Sequence, residues 1–178
     1  MYPAELSTPC LLIDESRLLA NIADMQRRMA AHGVRFRPHV KTHKGIEIAE
    51  RRRCASFTGI TVSTLREAEY FAEAGFRDVL YGVSIAPNRF ERAAALLESG
   101  VDLILLIDDL AVAGQIAGFL ESRGLLARVM IEIDVDGHRA GLEPDEPALL
   151  ALGDYLAASG ALDFTGLMTH AGESYGCS

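Results

Sequence analysis

Cysteine is scarce in this chain: three residues among 178, at positions 10, 54 and 177. They are odd in number, widely spaced and without a CxxC pair, which excludes a secreted disulfide framework and argues against a structural zinc site. Positive charge is also short. Lys and Arg number 17 against 25 Asp and Glu, giving a formal charge of -8 and a pI near 5.1. The resulting field repels phosphate backbones and anionic lipid, so neither nucleic acid nor a membrane surface is an expected partner. No apolar stretch approaches the ~20 residues a spanning helix needs, and MYPAELSTPCLLIDES has no basic segment leading into an apolar one. A soluble protein of the reducing cytosol fits these absences. Tryptophan is absent and aromatics make up 7%, yet 49% of residues are apolar and 24% charged, the proportions of an ordinary globular domain. At this length a domain buries roughly 70% of its unfolded surface and needs no disulfide or metal to hold a core.

What is present is an alternation. Short, β-branched apolar runs at 10–13, 34–40, 57–62, 78–83, 102–107, 128–135 and 164–170 read as strands, and helical patterns lie between them. Runs such as DLILLID and RVMIEIDV are almost continuously apolar, as strands covered on both faces are. In ESRLLANIADMQRRMAAHG, the residues Leu18, Leu19, Ile22, Met25 and Met29 recur at helical spacing, and Gly33 ends the helix. STLREAEYFAEAGF has a capping hydroxyl at Ser63 or Thr64, Glu67 in the first turn and Gly75 as its stop, while PNRFERAAALLESG carries Pro87 near its start and Gly100 past its end. Repeated βα units close as a barrel or stay open as a doubly wound sheet. No GxGxxG follows an early strand, so the dinucleotide-binding sheet is disfavoured. The expected architecture is an α/β, (β/α)8 TIM-type barrel. About six barrel strands are present where a full barrel takes about 250 residues, so residues 1–178 are expected to be one truncated barrel domain of a longer polypeptide.

The densest chemical signal is RFRPHVKTHKG, residues 35–45. If it continues as a strand, His39, Lys41 and His43 share one face and Val40, Thr42 and Lys44 the other. A lysine in a barrel mouth beside cationic neighbours has a destabilised ammonium and a usable amine, which suits Schiff-base chemistry. The plain alternative is a solvated basic loop. A zinc site from His39 and His43 is a weaker one, since strand spacing separates them.

TPCLLIDESRLLANI, RPHVKTHK, GITVSTLREAEYFAEAGFRDVLYG, IEIDVDGHRAGL and GLMTHAGESYGC, in that order, resemble the N-terminal part of the D-serine dehydratase and D-threonine aldolase family, related to the alanine racemase N-terminal domain. RPHVKTHK, VSTLREAE and HAGESYGC resemble the dehydratases more than the aldolases. The resemblance implies a barrel followed by a β-rich domain, and a pyridoxal 5'-phosphate enzyme cleaving small D-3-hydroxy amino acids. On it, Lys41 matches the lysine that holds the cofactor and then serves as base at Cα. His39, Arg139, His170 and Tyr175 match residues around the cofactor; Tyr175 matches a catalytic tyrosine whose phenol can bond the ring, the lysine–cofactor linkage or the substrate carboxylate, and the sequence does not choose among them. From the residues alone, Arg139 pairing with Asp134 or Asp136 is the plain alternative, and His170 a satisfied histidine at a strand end. The resemblance further implies a homodimer and a divalent metal, zinc or manganese, whose His and Cys ligands are expected outside this chain. Cys177 does not take that role. An aldolase, an amino-acid racemase and a non-catalytic pyridoxal phosphate carrier are the alternatives.

Overall fold

The computed structural model describes residues 5–52 and 59–176. Helix α1 (Glu15–Ala31) starts where the Asp14 carboxylate accepts a hydrogen bond from the Arg17 N–H at 3.1 Å, and it ends at His32, with Gly33 in the left-handed region. Of its apolar stripe only Ile22 is buried. A short helix, α2 (Ile46–Arg51), precedes the regular part of the molecule.

Strands and helices then alternate: β1 (Gly59–Val62), α3 (Leu65–Glu73), β2 (Asp78–Ser84), α4 (Phe90–Glu98), β3 (Asp102–Ile107), α5 (Leu110–Glu121), β4 (Ala127–Ile133), α6 (Pro147–Ala158) and β5 (Leu162–Thr169). Side-chain oxygens open two of the helices. Thr64 Oγ1 accepts from Glu67 N at 3.0 Å, and Asp109 Oδ1 from Val112 N at 2.8 Å. Gly75 and Gly100 stop α3 and α4 in left-handed geometry.

The five strands are all parallel and lie in chain order, β1-β2-β3-β4-β5. Val79, Leu103, Leu105, Val129 and Ile131 point to the helical side, where they form one core with Phe71, Ala94, Ile116 and Leu152. Leu80, Ile104 and Leu106 face the other way, with Met130 and Met168 packed on them. Sequential strand order with helices on one face is the wall of a barrel, since a doubly wound sheet carries helices on both faces.

Two of the expected strands, 34–40 and 10–13, do not form as strands. Residues 34–39 run beside β1, but only one bridge forms, His39 to Thr61, together with a 2.8 Å hydrogen bond from Thr61 N to Pro38 O. Pro38 has no N–H to return to the ladder, and Val40–Thr42 tighten into a 3-10 turn, so the pairing goes no further. The described sheet therefore has five strands rather than about six. Residues 10–13 form no strand, and Leu11 is 97% exposed. Residues 57 and 58 of the expected third strand, and two of the three cysteines, Cys54 and Cys177, lie outside the described residues.

Candidate active site

The strands' carboxyl ends and the turn after His39 enclose a cavity of about 400 Å³, into which His39, Lys41, Gly82, Glu132, Arg139 and His170 project or open. Arg37 pairs with Asp78 at 2.6 Å and Arg128 with Asp102 at 2.9 Å, so the first residues of β2 and β3 neutralise two of the arginines that line the cavity.

Lys41 sits in the 3-10 turn, not on a strand. The turn opens on His39, whose Nδ1 accepts a hydrogen bond from Lys41 N at 3.3 Å. Because Nδ1 accepts, the proton belongs on Nε2, which donates to Ser63 Oγ at 3.3 Å. Burial, reinforced by the Lys41 charge, holds His39 below the usual histidine range, which agrees with a neutral ring. The Lys41 ammonium has no ion pair or hydrogen bond among the described residues.

His43 does not share this face. Its Nδ1 accepts from Gly45 N at 3.0 Å, and the ring lines a separate hollow with Ile13, Glu15 and Leu18. A joint zinc site for His39 and His43 is therefore not assembled, and the described residues contain no group of three or more His, Cys, Asp and Glu able to hold a metal ion.

Arg139 lies beyond β4 rather than at its end. Asp134 Oδ1 accepts from Asp136 N at 3.2 Å and Gly137 N at 2.9 Å, and Asp134 Oδ2 from Arg139 N at 3.2 Å. These bonds fold the loop and take β4's expected last residues, Asp134 and Val135, out of the strand. The loop returns at Leu142, whose N–H donates to Glu132 O at 3.0 Å. Gly141 permits this with φ of 118°: a Cβ there would lie 2.7 Å from Asp134 N. The Arg139 guanidinium lines the cavity and forms no ion pair with Asp134 or Asp136.

His170 follows β5 directly, and its Nδ1 is buried with no hydrogen-bond partner among the described residues. Tyr175 stands edge-on to it, ring centroids 6.0 Å apart, but is 82% exposed and does not line the cavity. Glu173 N donates to Asp136 Oδ2 at 3.1 Å, tying the loop of Tyr175 to that of Arg139.

Among the cavity residues that the sequence reading did not single out is a buried acid. Glu132 in β4 is 3% exposed and accepts a hydrogen bond from Ser84 Oγ at 2.9 Å. Burial pushes its carboxyl above the usual range and Asp108 adds to this, while the Ser84 hydrogen bond, Arg139 and His170 oppose it. The available signal was a charge inside the otherwise apolar MIEI.

Residues 13–176 match the family described as alanine racemase, N-terminal domain. The chain is 50% identical to D-threo-3-hydroxyaspartate dehydratase of Delftia sp. (strain HT23), covering 96% of this chain and 45% of that protein. It is 34% identical to D-serine dehydratase of Dictyostelium discoideum, over 97% of this chain and 46% of that one. Among solved structures, the Delftia dehydratase superposes with a TM-score of 0.91, over 97% of this chain and 45% of that one. D-threonine aldolase from Filomicrobium marinum does so with 0.86 at 30% identity, over 93% and 44%. The chain thus spans about 45% of the length of these relatives. Its sheet is an incomplete (β/α)8 barrel, and the chain belongs to the alanine racemase N-terminal domain family.

Proposed function

We propose that this cavity holds pyridoxal 5'-phosphate and that the protein is a lyase of D-3-hydroxy amino acids, with dehydration and release of ammonia preferred to aldol cleavage. The observation that carries the proposal is a primary amine, Lys41 Nζ, without a charge partner on the wall of a concave site that also contains His39, Arg139 and His170. Names of the relatives support it: two of them are dehydratases of D-hydroxy amino acids and another a D-threonine aldolase.

The residues fit the cofactor. An amine is available for its aldehyde, His170 Nδ1 is a buried polar atom wanting a partner, and Gly82 leaves open wall where a Cβ would stand 3.0 Å from Thr61 Cγ2. When bound, pyridoxal phosphate supplies the aldehyde and an electron-accepting ring that makes the substrate Cα–H acidic. Lys41 would hold it covalently and, once displaced by the substrate amine, take the proton from Cα. Arg139, a permanent donor, would give a charge-assisted hydrogen bond to the ring or to the substrate carboxylate. The His170 ring, braced by Tyr175, would lie against the cofactor face, and neutral His39 would hold the Lys41 turn without adding positive charge. Tyr175 would need to swing inward to act on the substrate. No step is assigned to a metal: the zinc or manganese that the family resemblance implies would have its His and Cys ligands outside this chain, and a cysteine-to-alanine mutant of D-threo-3-hydroxyaspartate dehydratase has been solved in a metal-free form. A homodimer and a cytosolic location belong to the same proposal; among the described residues no helix is long and apolar enough to cross a membrane.

The test is reduction of the pyridoxal-loaded protein with borohydride followed by peptide mapping. The label is expected on Lys41, and Lys41→Ala should abolish both label and turnover. Supplied with D-threo-3-hydroxyaspartate, D-serine or D-threonine, the enzyme should release ammonia and a 2-oxo acid. Glycine and an aldehyde would select the aldolase reading, Cα deuterium exchange with inversion the racemase, and binding without turnover the carrier. A label on another lysine would overturn the proposal.

A further inference from the structure

Lys44 is the one non-glycine residue, among those described, with a positive φ, 50°, a conformation unfavourable for a residue bearing a Cβ. It lies three residues beyond Lys41 and closes the same turn, since Lys44 N and His43 N both donate to Val40 O, at 2.8 and 3.2 Å. Its ammonium is 3.1 Å from Glu67 Oε1. Glu67 belongs to α3, is 8% exposed, and accepts a second hydrogen bond through Oε2 from Ser63 N at 2.8 Å. Burial works against its charge, but the Ser63 N–H and Lys44 outweigh burial and hold the carboxyl below its usual range. Ser63 Oγ in turn meets His39 Nε2, and His39 Nδ1 receives Lys41 N.

One buried carboxylate thus reaches both ends of the turn that carries Lys41: the far end directly through Lys44, and the near end through Ser63 and His39. We infer that Glu67 is a positioning residue, strapping the 39–44 turn to the start of α3 so that the Lys41 amine meets the cofactor aldehyde in one orientation. This rests on the reading of Lys41 as the cofactor lysine. The cap of α3 does not account for the arrangement. Thr64 Oγ1 caps the helix through Glu67 N, and the Ser63 N–H needs only one carboxylate oxygen. A left-handed lysine aimed at the other oxygen serves the turn, not the helix.

The experiment follows the rate at which pyridoxal phosphate condenses with the apo-protein, read by absorbance, with the lysine identified by reduction and peptide mapping. Visible circular dichroism of the bound cofactor reports its orientation. Lys44→Met and Glu67→Gln should slow condensation about 10-fold, within the roughly 100-fold that a 1 Å misplacement can cost, and weaken the dichroic band. Lys44→Arg should restore both. Lys44→Gly, which relieves the backbone but cuts the strap, should remain slow. Thr64→Ala should lower the melting temperature and leave the rate unchanged. Condensation at the parent rate in Lys44→Met, or a rate in Thr64→Ala as slow as in Glu67→Gln, would overturn the strap. A label on a lysine other than 41 in the parent overturns the functional reading and the strap with it.

Discussion

Replacing Glu132 with Gln should make the fold less sensitive to alkali. Almost none of Glu132 is accessible to water, and burial pushes its carboxyl up. A group raised in this way binds more protons folded than unfolded between its two pKa values, so stability falls as pH rises through that interval, by up to ~1.4 kcal/mol per pH unit. The window opens upward from about pH 4.5, the ordinary value, and the cost is complete once the pH passes the folded-state value. A Gln side chain still offers a carbonyl oxygen to Ser84 Oγ and cannot ionise. The Gln variant should therefore gain on the parent at pH 8, with the gain shrinking toward zero at pH 4. Ser84→Ala should move the other way. It removes a 2.9 Å hydrogen bond that is worth roughly 1.5–3 kcal/mol to an ionised carboxylate and less to a neutral one, so its loss should grow with pH. Urea unfolding of the apo-protein at pH 4, 6 and 8, with the slope m held as a check on two-state behaviour, measures both. A Gln effect of equal size at every pH, or one that turns destabilising toward alkali, would refute the reasoning.

Gly82→Val should close the cavity: its Cβ would crowd Thr61 Cγ2 at 3.0 Å with His39 Nε2 4.0 Å away. Far-UV circular dichroism should stay native-like while pyridoxal phosphate affinity falls at least about 10-fold, or ~1.4 kcal/mol; undiminished affinity would remove Gly82 from the binding wall. Phe71→Ala should cost roughly 3–5 kcal/mol, because Phe71 is fully buried between α3 and the sheet, edge-on to Phe76 at 5.5 Å. A loss below about 1 kcal/mol in the same unfolding assay would mean that the core relaxes around the gap.

The helices were legible because their limits are set by local chemistry. Gly33, Gly75 and Gly100 stop helices in left-handed geometry, and Thr64 starts one, through hydrogen bonds between residues no more than five apart. Strand limits were less legible, because a strand needs a partner and a competing local bond can remove it. Asp134 offers its own carboxylate to three nearby N–H groups and so ends β4 at Ile133, before the apolar pattern runs out at Val135. Pro38 likewise limits the segment beside β1 to a single bridge.

At the site, the strand rule failed for one side chain and would have succeeded for another. Carried past His39, a period of two puts His43 beside Lys41. The chain instead enters a 3-10 turn, whose period of three sets His43 on the side of Val40, which is fully buried in the helical-side core. The rule holds in β4. There Val129, Ile131 and Ile133 go to the helices, and Arg128, Met130 and Glu132 line the cavity. The inner row changes from a cation near the amino end to an apolar middle to an acid at the carboxyl end, and the register pairs Ile104 with Arg128 and Leu106 with Met130. Polarity graded along one face of a strand whose other face is uniformly apolar marks a cavity-lining strand. The acid in MIEI therefore belongs among the cavity-lining groups, in the same hollow as Lys41, Arg139 and His170.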